Sequence, residues 1–363
     1  MATAKFNLQN QKDFVRVLKE RVNEYFSTKG ITSYGDSRLY WKTVAMMLIY
    51  ITPFVLILIN FLPFWANWIL YLVMGMGMVG IGMSVMHDAV HGSYSSNKAV
   101  NKILSFSMEL VGGNQFNWKV QHNVLHHTYT NIPGMDEDIG EKAILRLEPT
   151  GKWLKIHRFQ HIYALPLYSF LTLSWLMWGD YFTMFRYNKA GMTKQIGHKI
   201  SKELVKLVIF KSLYIFAHFI LPIFILGMVW WQVIVGFLLM QFLAGFILSV
   251  VFQLAHIVEE TSFPLPDEEG NMENSWAVHQ LQTTANFAKK RKLLSWFIGG
   301  LNYQIEHHLF PNISHVHYPK ISEIVKHTAK EFQLPYYEYK TFRSAIASHI
   351  RQLKVLGRKP AQA

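Results

Sequence analysis

The sequence contains no cysteine among its 363 residues. This absence excludes structural disulfides, thiolate metal sites and a cysteine-ligated iron–sulfur cluster within the chain. A redox function would therefore need an electron donor on a separate protein. A cleavable signal pattern is also lacking, because the first apolar run begins only after residue 42.

Charged residues are missing from two long stretches. Between Lys42 and His87 there are 44 positions without Asp, Glu, Lys or Arg, and a second gap of 44 separates Lys211 from His256, with His218 as its one ionisable residue. A helix needs about 20 residues to cross the hydrocarbon of a bilayer, so each gap accommodates two spans joined by a short turn. The predicted spans are about 43–62, 67–87, 208–229 and 232–255.

The predicted fold is an all-α integral membrane protein with two helical hairpins, interfacial helices and a cytoplasmic histidine-rich cap that holds a di-metal site. The net charge of +13 lies outside the two gaps, and the turns within them carry no charge. By the positive-inside rule, both termini and the long middle segment are predicted to be cytoplasmic. If the apolar run 162–178 crossed the membrane, the third group of histidines would lie on the opposite side of the bilayer from the first two groups. This run is therefore predicted to be interfacial or re-entrant.

Three regions follow from this pattern. Residues 1–42 form a cytoplasmic N-terminal segment with an amphipathic helix at 12–29, residues 43–320 form the membrane domain, and residues 321–363 form basic cytoplasmic C-terminal helices. The acidic segments 136–138 and 259–273 are predicted to be solvated loops. Because the basic residues flank membrane spans, we expect membrane lipid and no nucleic acid as a partner.

Histidines cluster in three short motifs. Residues three or four apart on a helix share a face, so each motif can aim several side chains at one point. Neighbouring histidines differ by roughly 100° around the axis, so an adjacent pair can reach two ions. His256 ends the second gap at the depth at which His87 ends the first. The motifs are His87-Asp-Ala-Val-His91, His122-Asn-Val-Leu-His126-His127 and Gln304-Ile-Glu-His307-His308.

Eight histidines are too many for one ion, so the motifs predict two metal ions, each with an open position. Imidazole suits iron, copper, zinc and nickel, and the lack of cysteine disfavours structural zinc. Haem would use one axial histidine on each of two helices and would leave most of the eight histidines without a role. Glu306 is predicted to orient a neighbouring histidine, and His279 completes no motif. The candidate ligands are His87, His91, His122, His126, His127, His256, His307 and His308, with Gln304 as a weaker amide candidate.

With these motifs in this order, the sequence resembles the membrane fatty acid desaturase family over about residues 38–320. The Gln304 form of the third motif is most similar to the front-end and linoleoyl-CoA-desaturase-like branch. The resemblance implies two iron ions bound by the motif histidines and by an isolated histidine after the fourth span, the place of His256. It also implies O₂ as co-substrate and a long-chain acyl-CoA or acyl-lipid substrate that receives a cis double bond.

One departure from the family pattern concerns the electron donor. Many eukaryotic front-end enzymes carry an N-terminal cytochrome b5 domain with a His-Pro-Gly-Gly motif, which this sequence does not contain. A separate ferredoxin or cytochrome b5 is therefore expected to supply the electrons. The segment 276–287 resembles a family stretch near the acyl path, and a polar surface helix is the alternative there.

Two other functions stay open. A hydroxylase or another oxygenase on the same scaffold would differ only in the product that the reaction intermediate forms. A non-catalytic membrane metal-binding protein or transporter would place polar residues through its spans, and the two gaps hold only His218 as an ionisable group. Regioselectivity and chain length do not follow from these residues.

Overall fold

The computed structural model describes residues 4–7, 9–140 and 144–360. These residues are mostly helical. In chain order the helices are α1 (Lys12–Lys29), α2 (Ser37–Ile59), α3 (Phe64–His91), α4 (Lys98–Ser105), α5 (Ser107–Leu110), α6 (115–129), α7 (Gln160–Tyr168), α8 (171–189), α9 (Met192–Gln195), α10 (Ile200–Ile225), α11 (Trp230–His256), α12 (Trp276–Thr283), α13 (Lys292–Phe297), α14 (Gln304–Leu309), α15 (Tyr318–Glu331) and α16 (Phe342–Leu356). The short strands are β1 (Lys5–Phe6), β2 (Asn271–Met272), β3 (Ala285–Phe287) and β4 (Tyr337–Tyr339).

Four of these helices, α2, α3, α10 and α11, are long and apolar enough to cross a membrane, counted over the described residues. The chain is therefore an integral membrane protein, and the predicted fold class is confirmed. Several helices change their winding along their length. The π-helical segments are Ile81–Met86 in α3, Lys119–His126 in α6, Trp175–Gly179 in α8 and Phe216–Ile225 in α10.

The helices begin earlier than the charge gaps predict. Lys42 and Lys211 lie inside α2 and α10, with 4% and 2% of their surfaces exposed. The Lys211 ammonium donates hydrogen bonds to the carboxylate of Asp180 at 2.6 Å and to the carbonyl oxygen of Gly112 at 2.6 Å. A buried cation with such partners does not end a helix, so the gap alone underestimates the helix length.

The chain divides into two compact units. Unit 1 comprises Met1–Gly35, Gln121–Leu165 and Val251–Ala363, and unit 2 comprises Asp36–Val120 and Pro166–Val250. The apolar helices α2, α3 and α10 and most of α11 belong to unit 2. The second and third histidine motifs belong to unit 1, together with the end of α11 that carries His256.

Small residues allow the helices of unit 2 to pack closely. A Cβ atom at Gly77 of α3 would lie 2.7 Å from the backbone nitrogen of Tyr50 in α2, and one at Gly75 would lie 2.9 Å from the carbonyl oxygen of Met240 in α11. Both separations are shorter than real side chains show. Backbone contact at glycine therefore holds α3 between its two neighbours, as is common among membrane helices.

The apolar run at 162–178 does not form one continuous helix. It is interrupted between α7 and α8 at residues 169 and 170, where Gly245 of α11 approaches the carbonyl oxygen of Ser169. The hydroxyl of Thr172 donates to the carbonyl oxygen of Gln241 at 2.9 Å. Neither α7 nor α8 reaches the length of the four apolar helices.

In unit 1 the amphipathic helix α1 forms as predicted. Its stripe of Phe14, Leu18 and Val22 is buried in one core cluster with side chains of α12, α14 and α15. The strand pairs are both parallel: β1 pairs with β2, and β3 pairs with β4. The pairing of β3 with β4 joins the segment after α12 to the segment before α16, on either side of the third histidine motif in sequence.

Candidate metal centre

The first histidine motif lies at the end of α3 in unit 2. The rings of His87 and His91 stand 4.8 Å apart between centroids, as their spacing of one helical turn predicts. Both rings meet the edge of Trp118, at 5.5 Å and 6.1 Å. His87 is buried. This unit thus holds two of the predicted ligands side by side.

The second motif lies on the π-helical part of α6 in unit 1. Backbone hydrogen bonds in a π-helix join residues five apart, so side chains with this spacing come together. The Nε2 atoms of His122 and His127 are 3.2 Å apart, and the rings of His122 and His126 stack at 5.5 Å. The predicted pairing of His122 with His126 is present, and the π-helical winding also brings His127 beside His122, which α-helical spacing does not predict.

Three Nε2 atoms converge where the second motif meets the third. The Nε2 atom of His307 lies 2.9 Å from that of His127 and 3.4 Å from that of His122. For a metal–nitrogen bond of about 2.1 Å, two ligands of one ion are separated by about 3.0 Å at a right angle and about 3.4 Å at a tetrahedral angle. The observed separations match this range.

A second group is formed by His126, His256 and His308. Their potential ligand atoms all lie within 4.8 Å of one another, and their ring centroids are separated by 4.6 Å to 4.9 Å. Among the described residues, the buried Nε2 atoms of His126 and His256 have no hydrogen-bond partner. Because an unsatisfied buried polar atom costs about 1–3 kcal/mol, two such atoms facing one point indicate a ligand. This group could hold a metal ion.

The opposite ring nitrogens of this group are held by the protein. The Nδ1–H group of His256 donates to the carbonyl oxygen of Thr283 at 3.3 Å, and that of His308 donates to the amide oxygen of Gln280 at 2.9 Å. Imidazoles that bind metals usually donate their second N–H group in this way, which fixes the ring and its tautomer. The segment 276–287 is therefore buried at this site, and the surface-helix alternative is wrong.

His126 of this group contacts two carboxylates. Its Nδ1 atom lies 3.0 Å from Asp136 and 3.3 Å from Asp138. Burial lowers the pKa of His126, but the two carboxylates outweigh it and raise this pKa to about 9. Burial likewise raises the pKa of Asp136, and His126 and two backbone N–H groups reverse this and lower it. The prediction that 136–138 is solvated is wrong for Asp136, which is 1% exposed.

Comparison with known proteins identifies the family. The fatty acid desaturase family model matches residues 63–340. The chain belongs to the fatty acid desaturase family. It is 36% identical over 364 residues to the sn-1 linoleoyl-lipid 6-desaturase of Synechocystis sp., with 99% of each chain covered. It is 31% identical to the sn-1 linoleoyl-lipid 6-desaturase of Arthrospira platensis, with 99% and 96% covered. It is 35% identical to the acyl-lipid (8-3)-desaturase of Physcomitrium patens, with 98% of this chain and 74% of that one covered.

These relatives confirm the predicted enzyme class. The chain is a fatty acyl desaturase, an oxidoreductase that takes a lipid substrate and a redox partner. The histidine groups of unit 1 are compatible with the metal site that such chemistry needs.

Glu306 of the desaturase has a different role from the predicted one. Its carboxylate accepts hydrogen bonds from the side-chain amide of Asn286 at 2.8 Å and from the hydroxyl of Tyr336 at 2.9 Å. It therefore fastens α14 to β3 and to the segment before β4, instead of orienting a histidine. Burial raises the pKa of Glu306 to about 7, against the opposing effect of nearby Lys289.

His279 and Gln304 differ in how their polar atoms are used. The Nε2–H group of His279 donates to the carbonyl oxygen of Thr130 at 2.8 Å, and burial lowers the pKa of this histidine to about 4. Gln304 is completely buried, yet neither of its amide atoms has a hydrogen-bond partner within the described residues. Buried amides are rarely left this way, so the Gln304 side chain has capacity for a ligand or a bridging water.

The sequence patterns did not identify Asp136, Asp138, Gln280, Thr283 or Tyr318 as partners of the histidines. The hydroxyl of Tyr318 lies 3.1 Å from Nδ1 of His307. Only Asp136 and Asp138 carried a usable signal, since they form an acidic cluster shortly after the second histidine motif, 10 and 12 positions beyond His126. Gln280 lies 28 positions from His308, Thr283 acts through a backbone carbonyl that any residue type provides, and Tyr318 lies outside the third motif.

Proposed function

We propose that the chain is an O₂-dependent acyl-lipid desaturase that forms a cis double bond in a long-chain acyl group. It would use two iron ions and electrons from a separate ferredoxin or cytochrome b5. Two relatives are named sn-1 linoleoyl-lipid 6-desaturases, which supports an acyl-lipid over an acyl-CoA and makes a linoleoyl lipid the first substrate to test.

The observation that carries this proposal is the convergence of His126, His256 and His308, with two free Nε2 atoms and with each opposite nitrogen held by the protein. Imidazole ligands without thiolates suit iron. When bound, iron would supply the O₂ chemistry that removes hydrogen from unactivated methylene groups. Overall, –CH₂–CH₂– with O₂, two electrons and two protons gives –CH=CH– and two waters.

We assign the remaining histidines to a second ion. The 2.9–3.4 Å separations among the Nε2 atoms of His122, His127 and His307 support this assignment. His87 and His91 would complete the ligand set. Gln304 would act through a water molecule, because an amide is a poor iron ligand beside imidazole.

We also propose that both termini are cytoplasmic, on the side where a soluble carrier delivers electrons. The uncharged turns between the paired apolar helices support this orientation. Accessibility tags at each terminus and at residue 190 should react only from the cytoplasm. A tag at residue 190 that reacts only from the opposite side would contradict this topology.

Expression in a host of known fatty-acid profile, with a linoleoyl lipid supplied, tests the activity. Mass spectrometry would locate the new double bond, and metal analysis should find about two irons per chain. His256→Ala should abolish the product and lower the bound iron, whereas His279→Ala should retain both. A hydroxylated product would favour the oxygenase alternative, and an inactive, iron-poor His279→Ala beside an active His256→Ala would refute the ligand assignment.

A further inference from the structure

An exposed cationic turn lies next to the third histidine motif in unit 1. We propose that this basic turn, residues 289–292, is the docking surface for an acidic one-electron carrier protein, and that Tyr303 couples it to His307. The inference rests on the proposed function, because only an enzyme that consumes electrons needs such a surface. Each carrier would release one electron and leave oxidised, so two encounters would serve one double bond.

The charge of the basic turn is available to a partner. Lys290, Arg291 and Lys292 are exposed and form no ion pair with any described residue. Lys289 is mostly covered and pairs with Glu338 at 3.2 Å. Complementary charge speeds the encounter of two proteins and orients them, so three adjacent unpaired cations suit an acidic partner.

The basic turn is held in a fixed conformation. It follows Ala288, which is completely buried and has a φ of 49°. This left-handed conformation costs roughly 1–2 kcal/mol for a residue other than glycine and persists only where neighbours enforce it. The Ala288 N–H group donates to the carbonyl oxygen of Tyr339 at 2.9 Å, and that of Arg291 donates to the carbonyl oxygen of Ala288 at 2.9 Å. The cations are therefore presented in a preorganised way, which reduces the entropy lost on binding.

A short bonded route leads from the basic turn to a histidine of the site. The hydroxyl of Tyr303 donates to the carbonyl oxygen of Lys289 at 3.0 Å. The backbone N–H group of His307 donates to the carbonyl oxygen of Tyr303 at 3.0 Å. Tyr303 is 6% exposed. Two hydrogen bonds and one buried tyrosine thus connect the surface with His307, and electron tunnelling favours such short bonded routes.

An anionic membrane surface is the competing occupant. Leu293 and Trp296 adjoin the basic turn with exposed fractions of 79% and 41%, and lipid accepts apolar and cationic residues together. A protein interface also accepts an aromatic residue beside cations. The route through Tyr303 to His307 serves an electron carrier and has no use in lipid anchoring, so it favours the carrier.

Binding measurements test the docking surface. The desaturase would be held in phosphatidylcholine nanodiscs and titrated with two oxidised probes, a plant-type [2Fe–2S] ferredoxin and the soluble haem domain of cytochrome b5. Lys290→Glu/Arg291→Glu/Lys292→Glu should weaken binding of at least one probe by about 10- to 100-fold at low salt. The difference should shrink at about 0.5 M salt, where charges are screened.

A matched control reverses three exposed lysines on other elements of the same unit. Lys12→Glu/Lys19→Glu/Lys354→Glu makes the same change in net charge, and all three positions are exposed. This control should weaken binding by less than about twofold, as expected for charges outside an interface. Equal weakening by both triple variants would show that only the net charge matters and would overturn the proposal.

Tyr303→Phe tests the coupling route. The substitution removes the hydrogen bond to Lys289 and keeps the ring, so binding of the carrier and iron content should be unchanged. The maximal rate at which the reduced carrier is oxidised should fall several-fold in stopped-flow measurements with a linoleoyl lipid. An unchanged maximal rate would overturn the role of Tyr303.

Two further results separate the alternatives. If the turn variant binds both probes normally but loses affinity for vesicles of phosphatidylcholine and phosphatidylglycerol, the turn is a lipid anchor and the proposal is overturned. If the probes bind as expected but wild-type protein forms no new double bond with any reduced donor, the proposed function fails while the docking surface stands.

Discussion

Two acidic tripeptides of unit 1 have almost the same composition and very different environments. Asp-Glu-Asp at 136–138 holds His126 through a buried aspartate, whereas Asp-Glu-Glu at 267–269 is exposed throughout. Asp267 accepts a hydrogen bond from the backbone N–H group of Asn271 at 2.6 Å and so stabilises its own turn. Sequence analysis predicts a solvated loop for both, and the prediction is right for 267–269 only.

The carboxylates of these segments have the same chemistry, so their different pKa values come from the groups that surround them. The pKa of Asp267 is lowered by backbone N–H groups of its own turn, chiefly that of Asn271. The pKa of Asp136 is lowered although burial opposes the change, because the imidazole of His126 stands against it. Glu109 of unit 2 shows the third case: it is buried and forms no ion pair with any described residue, and burial raises its pKa to about 7 against the weaker opposing effect of Lys206.

The largest effect is expected from Asp136→Ala. This change removes the nearer of the two carboxylates that contact Nδ1 of His126 and holds the ring less firmly, so iron affinity should fall by about 10- to 100-fold. Asp136→Asn, which can still accept the hydrogen bond, should lose less. Iron per chain by elemental analysis and product yield would be measured together. Full iron loading in Asp136→Ala would show that the carboxylate does not position His126.

A smaller loss is expected from Gln280→Ala. The amide oxygen of Gln280 accepts from His308 at 2.9 Å, but it carries no charge, so its hydrogen bond contributes less than that of Asp136. Iron affinity should fall by about tenfold or less. Competition with a chelator would rank the two variants, and a greater loss for Gln280→Ala than for Asp136→Ala would reverse the comparison.

Glu109→Gln should change stability with pH instead of activity. One oxygen of Glu109 accepts from the backbone N–H group of Gln115 at 3.1 Å, and the other has no hydrogen bond to a described residue. The pKa of Glu109 in the fold, about 7, lies above the usual value of 4.5 for a glutamate. Glu109 therefore stabilises the fold below about pH 4.5, and this contribution is lost as the pH rises through 7.

The variant should therefore be more heat-stable than wild type at pH 8, by on the order of 3 kcal/mol, because each pKa unit corresponds to about 1.4 kcal/mol. The difference should be smaller at pH 5. Melting temperatures in detergent at the two pH values would be compared. An equal difference at both would contradict a raised pKa at Glu109.

The smallest effect is expected from Asp267→Asn. The side chain is exposed, and asparagine can still accept the hydrogen bond from Asn271, so product yield and iron content should change by less than about twofold. The variant is the matched control for Asp136→Asn, because both remove one acidic charge from a similar tripeptide. Loss of iron in Asp267→Asn would abolish the distinction between the two segments.

The features that depend on local residue spacing were predicted correctly from the sequence. The apolar helices and the amphipathic stripe of α1 follow from hydrophobic runs and helical periodicity, and His126 and His308 lie where their motifs indicate. The starts of two helices were less well predicted, because α2 begins at Ser37 and α10 at Ile200, ahead of the predicted positions 43 and 208.

The partners of the histidines depend on tertiary contacts that no short pattern records. Gln280 and His308 are 28 positions apart, and Thr283 contributes only a backbone oxygen to His256. The same limit explains Glu306, whose neighbours in the motif suggested a histidine but whose actual partners are Asn286 and Tyr336.

The π-helical winding of α6 means that two different histidine spacings can give the same arrangement of side chains, one on a π-helix and one on an α-helix. In this segment His122 lies beside His127, five positions on, as residues four apart do in an α-helix. A relative with one residue fewer between the first and second histidines of this motif could place its outer histidines in the same relation on ordinary α-helix. Deletion of one residue there need not destroy the site, and alignments that demand a fixed spacing would miss relatives that build the same arrangement.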